Sequence, residues 1–156
     1  MSVGTLYQYF AHRDAILNAL QDREFERAIV VLQGVLSNPH HASDQSLARA
    51  VVEELLRLYR AAPALHRVLA VEGLRVTPAE RVQAFDARIV SSIRAFLALA
   101  GPRIRPANLE AASFVIYQSV RATMLAYLLE SPPGVNDPIL VDEVTELIVR
   151  YLTAPA

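Results

Sequence analysis

The sequence predicts an all-α helical bundle, and three observations carry that prediction. Apolar residues recur at three- and four-residue spacing along nearly the whole chain. No stretch alternates strictly between apolar and polar residues as a half-buried strand would. Breakers at Pro39, Gly101-Pro102 and Pro132-Pro133-Gly134 divide the periodic stretches from one another. With 156 residues, 53% of them hydrophobic, the chain is long enough to bury one substantial core.

The first segment, Ser2–Phe10, is short and aromatic. After a break at Ala11-His12, a long helix is expected from about Arg13 to Leu36, with Ile16, Leu17, Leu20, Ala28, Val31, Leu32 and Val35 on its buried stripe. The Ser37–Ser43 stretch with Pro39 ends it. The next helix spans about Ser43 to Ala61, with Leu47, Val51, Leu55, Leu58 and Tyr59 as its core face. Pro63 then occupies a first-turn position and opens a shorter helix to about Leu74. Thr77-Pro78-Ala79-Glu80 reads as a capping box that starts a helix reaching Ala100, whose stripe is Val82, Phe85, Ile89, Ile93, Phe96 and Leu97. Pro106 or Asn108 begins a further helix to Glu130. Asp137-Pro138 begins the last, with Leu140, Val144, Leu147 and Tyr151 on one face.

The helix from Pro106 to Glu130 is apolar on two opposite sides. At 100° per residue, Ala112, Ile116, Ser119, Val120, Thr123 and Tyr127 share one face; Phe114, Tyr117, Gln118, Arg121, Leu125 and Leu128 share the other. Both need covering. The small residues of the first face suit close approach by another helix and suggest an interface. The aromatic and polar residues of the second suggest the wall of a partly polar cavity.

Composition narrows the function classes. Net charge is −1 and all fifteen basic residues are arginine, so the bulk of the chain lacks the basic surplus of a phosphate-gripping surface. Cysteine is absent, which removes disulfides and thiolate metal sites. Neither a secretory leader nor an apolar run of transmembrane length is seen; a cytoplasmic protein without membrane attachment is expected. An enzyme is disfavoured. The four histidines form no His-x3-His pair or Glu-x2-His motif, and Gly-x-Ser-x-Gly and phosphate-cradling glycine loops are missing. His40-His41 beside Pro39 reads as a solvated loop pair. No catalytic residue, metal site or cofactor is expected.

The run Ser2-Val3-Gly4-Thr5-Leu6-Tyr7-Gln8-Tyr9-Phe10, leading through Ala11-His12 into Arg13-Asp14-Ala15-Ile16-Leu17, resembles the end of the DNA-binding domain of the tetracycline-repressor (TetR) family of transcriptional regulators. The resemblance implies that this stretch is the recognition helix of a helix-turn-helix, with Ser2, Val3, Thr5 and Gln8 toward the major groove, Tyr7 reaching a phosphate or base edge, and Arg13 at a phosphate-contact position. Leu6, Tyr9 and Phe10 would pack inward. Residues 1–12 are then the remnant of an N-terminal helix-turn-helix domain, and residues 13–156 an effector-binding and dimerisation domain. The family carries further helices before the recognition helix, so an N-terminal truncation is expected, with operator DNA bound only once those helices are restored. A late start assignment, shortening by design or proteolysis, and a headless regulator are the three explanations.

Over the rest of the chain the resemblance implies a two-fold homodimer built from the last two helices as a four-helix bundle. The interface candidates are Ala112, Ile116, Ser119, Val120 and Thr123 on one helix and Val144, Leu147, Ile148 and Tyr151 on the other; intrachain core is the competing reading for each. A small apolar or amphipathic effector would occupy a cavity among the middle helices, with Tyr59, His66, Phe85, Arg88, Phe114, Tyr117, Gln118 and Arg121 as lining candidates. A buried Arg121 needs an anionic partner, either a ligand carboxylate or a protein one. The implied activity is that of a ligand-responsive regulator, with repression the commoner outcome. The alternative is a helical dimerisation or interaction module that binds no small molecule.

Overall fold

The computed structural model of the chain describes residues 3–38, 40–41 and 43–153, together with their side chains other than those of residues 3–11 and Leu74. These residues form α1 (Val3–Leu36), α2 (Asp44–Ala61), α3 (Pro63–Val68), a π-helical turn (Leu69–Gly73), α4 (Leu74–Val76), α5 (Ala79–Ala100), a 3-10 turn (Gly101–Arg103), α6 (Leu109–Glu130) and α7 (Asp137–Leu152). No strand occurs among the described residues, and the class is all-α.

Short polar side chains set the helix starts. Ser43 accepts from the N–H of Ser46 at 3.1 Å while the Ser46 hydroxyl accepts from the N–H of Ser43 at 3.0 Å, a reciprocal box at the head of α2. Asn108 accepts from Ala111 and Asn136 from Ile139, each at 3.0 Å, opening α6 and α7. Ser131, at φ 49°, closes α6 in the left-handed conformation, its N–H donating to the Tyr127 carbonyl at 3.2 Å.

Three local expectations are corrected. The break at Ala11-His12 is absent: α1 runs unbroken from Val3 to Leu36, because residues 11–14 contain neither proline nor glycine to interrupt it. The helix opened by Pro63 does not continue regularly to Leu74; one turn widens into the π-helical Leu69–Gly73. The capping box at Thr77 does not form. Thr77 instead ends the preceding helix, its N–H donating to the Gly73 carbonyl at 2.8 Å, and Pro78 becomes the residue before α5, with no side-chain cap. The Thr77 hydroxyl is left buried without a partner.

Helix α2 packs along α7 and α5 along α6, while α1 crosses against α2, α5 and the α3–π–α4 run. The main core joins Ala48, Val52 and Leu56 of α2 to Ala112, Ile116, Val120 and Met124 of α6, with Leu97 of α5 and Leu140, Val141, Val144 and Ile148 of α7. Residues 48, 52 and 56 share one helical face, which explains why α2 presents a clean stripe to this core. A second cluster joins Ile29 and Leu32 of α1 to Ile89 of α5 and Tyr117 of α6. Ile16, expected in the core, is exposed.

An ion-pair node ties three helices together at one end. Arg60 of α2 donates to both Asp137 oxygens, at 2.5 and 3.2 Å, and to the Tyr127 hydroxyl at 3.1 Å; Tyr127 of α6 donates to Asp137 of α7 at 2.5 Å. The hydrogen bonds from Arg60, then from Tyr127, hold the Asp137 carboxyl below its ordinary value.

Candidate functional site: a cavity with two polar stations

Where the two clusters meet, α1, α2, the α3–π–α4 run, α5, α6 and the end of α7 line a partly open cavity of ≈ 230 Å³. Its walls are the very stripes that sequence periodicity assigns to the core. Leu47, Val51, Leu55, Leu58 and Tyr59 line it from α2, and Val82, Phe85, Ile89, Ile93 and Phe96 from α5. These faces lie beside the ones that meet α7 and α6, so each helix serves core and cavity from adjoining parts of one apolar side. From α1 come Gln21, Glu24, Phe25, Ala28 and Leu32, at the three- and four-residue spacing of one helical face. Phe25 stacks on Phe85 with ring centroids 4.0 Å apart, closing α1 onto α5.

One polar station is built by α6 and α5. The Tyr117 hydroxyl donates to Asp86 at 2.5 Å, and the Arg121 guanidinium lies 3.6 Å from the other Asp86 oxygen. Residues 117 and 121 are one turn apart, so a single aspartate meets both. Burial, then the hydrogen bond to the Asp86 carboxylate, drives the Tyr117 phenol far above its ordinary value, and it remains a neutral donor. Burial also raises Tyr59, opposed by the nearby Arg121 charge. Arg121 therefore has its anion within the protein.

The second station was not anticipated. Glu24 and His66 are each 5% exposed, with the imidazole Nε2 3.3 Å from a carboxylate oxygen of Glu24. The His66 Nδ1 lies 3.0 Å from the Ala62 carbonyl, and its ring meets Tyr59 edge-on at 5.0 Å. Gln21 lies one turn before Glu24 against Gly73, where an added Cβ would collide with the Gln21 amide oxygen; the missing side chain lets α1 and the π-helical turn approach. The signal that could have revealed this station was two polar residues, Gln21 and Glu24, set into the inward stripe between Leu17 and Ala28.

The structure thus brings Tyr59, His66, Phe85, Tyr117 and Arg121 together in the cavity, and three other lining candidates are corrected. Arg88 is turned outward, donating to Glu26 of α1 at 2.5 Å. Phe114 is 55% exposed, and Gln118, one turn along the same side of α6, does not line the cavity.

Five of the nine interface candidates are corrected in the same sense. Ala112, Ile116, Val120, Val144 and Ile148 belong to the intrachain core, so they have almost no surface left to offer a second chain. Tyr151 packs partly against that core; Ser119 is half-buried, while Thr123 and Leu147 are exposed. The two faces of α6 have exchanged parts of their roles. Small residues permit close approach by any helix, and here α2, α5 and α7 of the same chain take that face. The large apolar side chains left exposed on these two helices are Phe114, Val115 and Leu129 of α6 and Ile139 and Leu147 of α7.

Among the DNA-contact candidates, Ser2 lies outside the described residues. Val3, Thr5, Tyr7 and Gln8 lie on the α1 helix, their side chains outside the description. Arg13 sits 3.5 Å from Glu72 at the π-helical turn. His40 is exposed, whereas Nε2 of His41 is buried without a partner, contrary to a fully solvated pair. Among the described residues, no group of three or more His, Cys, Asp or Glu could hold a metal, and no helix is long and apolar enough to cross a membrane.

No curated protein matches the chain. A family model described as tetracyclin repressor-like, C-terminal domain, matches residues 45–152, which contain α2 to α7 except the first residue of α2, and with them the cavity walls outside α1. A helical domain with this match over more than two thirds of its length belongs to the tetracycline-repressor-like family of ligand-responsive transcriptional regulators.

Proposed function

We propose that the chain is the effector-binding and dimerisation part of a transcriptional repressor that releases DNA when a small apolar or amphipathic molecule fills the α1–α6 cavity. The carrying observation is that α1 both supplies one wall of the cavity and runs unbroken to the stretch that resembles a recognition helix. Residues 1–12 on this reading belong to the helix-turn-helix, and residues 13–156 to the effector domain.

Helix α1 is also tethered by ion pairs to the π-helical turn, α4 and α5. Arg13 pairs with Glu72, Asp14 with Arg75 at 3.4 Å, Asp22 with Arg81 and Glu26 with Arg88. A ligand that wedges the π-helical turn or α5 away from α1 pulls on these pairs and tilts the helix. In a two-fold dimer such a tilt changes the separation of two reading heads, which must match half-sites about 34–36 Å apart. Release follows to the extent that the ligand binds the non-DNA state better. The exposed apolar side chains of α6 and α7 serve as the dimer contact, in place of the small-residue face.

The test pairs two measurements. Fluorescence anisotropy of labelled upstream DNA is recorded for a chain carrying a complete helix-turn-helix, and melting temperature is recorded across a library of apolar and amphipathic compounds. Compounds that raise Tm should lower DNA affinity, because a binder of the folded state stabilises it by mass action. DNA binding should weaken steeply with salt. Compounds that raise Tm and leave DNA affinity unchanged would overturn the coupling.

A further inference from the structure

The Glu24–His66 station has an unusual hydrogen-bond balance. A carbonyl can only accept, so the contact between His66 Nδ1 and the Ala62 oxygen places a proton on Nδ1. In the neutral ring Nε2 is then a bare acceptor, and it is buried with no hydrogen-bond partner although Glu24 is 3.3 Å away. Glu24 does not require a cationic histidine for charge balance. Arg23 donates to one of its oxygens at 3.2 Å, and Arg27 reaches both, at 3.3 and 3.5 Å. With the ring neutral, two acceptors converge there with no proton between them. The Thr77 hydroxyl, also lining the cavity and 6% exposed, is a second buried group without a partner. Leaving such groups unsatisfied is costly unless something supplies what they lack.

We infer that the cavity selects a ligand with a hydrogen-bond-donating head, a hydroxyl or an ammonium on a short apolar body, which donates to Glu24 and His66 Nε2, and that it rejects carboxylates. The inference rests on the ligand-binding reading above and names its chemical class. The geometry disfavours an anion at both stations: one presents the Glu24 carboxylate, and at the other Arg121 is already engaged by Asp86. The cavity's ≈ 230 Å³ is below the range of about 300–1,000 Å³ usual for ligand clefts, which restricts the body to a short chain or single ring.

The test is a calorimetric titration of the intact chain with four probes whose apolar tails have seven or eight carbons: 1-octanol, octylammonium, octanoate and methyl octyl ether. The alcohol and the ammonium should bind about tenfold or more tightly than the carboxylate and the ether, because buried acceptors penalise a ligand with nothing to donate. In Glu24→Gln the new amide can donate to His66 Nε2, so the preference over the ether should collapse to within about threefold. The wild-type ranking is read without any variant, so a poorly folding mutant does not decide the outcome. Equal binding of all four probes would overturn the inference and leave the ligand-binding reading standing. Tightest binding of octanoate would overturn it and mean that His66 acts as a cation. Failure of every probe to bind would count against the ligand-binding reading itself and so against this one.

Discussion

Phe114→Ala separates the two assignments of the dimer face. Fully burying a phenylalanine side chain contributes about 1.5–3 kcal/mol. Phe114 is 55% exposed in the single chain, so covering the remainder at an interface contributes roughly half of that, about 0.8–1.6 kcal/mol per copy. Two-fold symmetry places the residue in the interface twice, giving about 1.6–3.3 kcal/mol and a rise in dimer Kd of about 15- to 250-fold. Sedimentation velocity over a dilution series reads this directly. The contrasting change is Ile116→Ala. Ile116 is 8% exposed inside the main core, so its truncation should cost about 2–5 kcal/mol of folding stability, seen in urea unfolding at fixed protein concentration, with a smaller effect on association. If Phe114→Ala left Kd unchanged while Ile116→Ala dissociated a folded dimer, the assignment to the exposed side chains would be wrong and the small-residue face would be restored.

Three further outcomes are expected. Tyr117→Phe keeps the ring but removes the donor to Asp86, and should lower stability by about 1–2 kcal/mol in urea unfolding; an unchanged midpoint would show that the contact contributes nothing net. Gly73→Ala should be neutral or destabilising in the native background, where the added Cβ forces Gln21 to move, yet stabilising by up to about 1 kcal/mol when combined with Gln21→Ala, since alanine is the better helix former. A double-mutant cycle showing no dependence on Gln21 would refute the close approach. The Asp137 node should give an acid-sensitive contribution. Its folded pKa is lowered, so the stabilisation is complete above the ordinary value of 3.8 and lost as pH falls through the folded value. Because the pair is largely exposed, the difference between the native chain and Asp137→Asn should stay under about 1 kcal/mol near pH 6, shrinking below about pH 4. A difference independent of pH would remove Asp137 as its source.

Much of the cavity was legible in the sequence as apolar stripes, and two of them, on α2 and α5, proved to be its walls rather than solid core. Periodicity reports which residues avoid water, and a cavity lining and a packed core satisfy it equally. Tyr59, His66, Phe85, Tyr117 and Arg121 were found because each puts a polar or aromatic group on such a stripe. Glu24 escaped because a glutamate among arginines on a long helix reads as a solvated ion pair until α3 closes over it. The Thr77 box failed for a related reason: its four residues suit a helix start, but the π-helical turn upstream claims the Thr77 backbone first.

The sequence by itself determined the helical class, the approximate ends of α2, α5, α6 and α7, and the resemblance to a recognition helix. These depend on local spacing, caps and breakers within a few residues of one another. Only the tertiary structure decided which of the two apolar faces of α6 is covered, which anion meets Arg121, and that Glu24 and His66 share a buried station. Those outcomes depend on residues brought together from α1, α3, α5 and α6, and the free energy of burying a face depends on its partner, which no single helix carries in its own spacing.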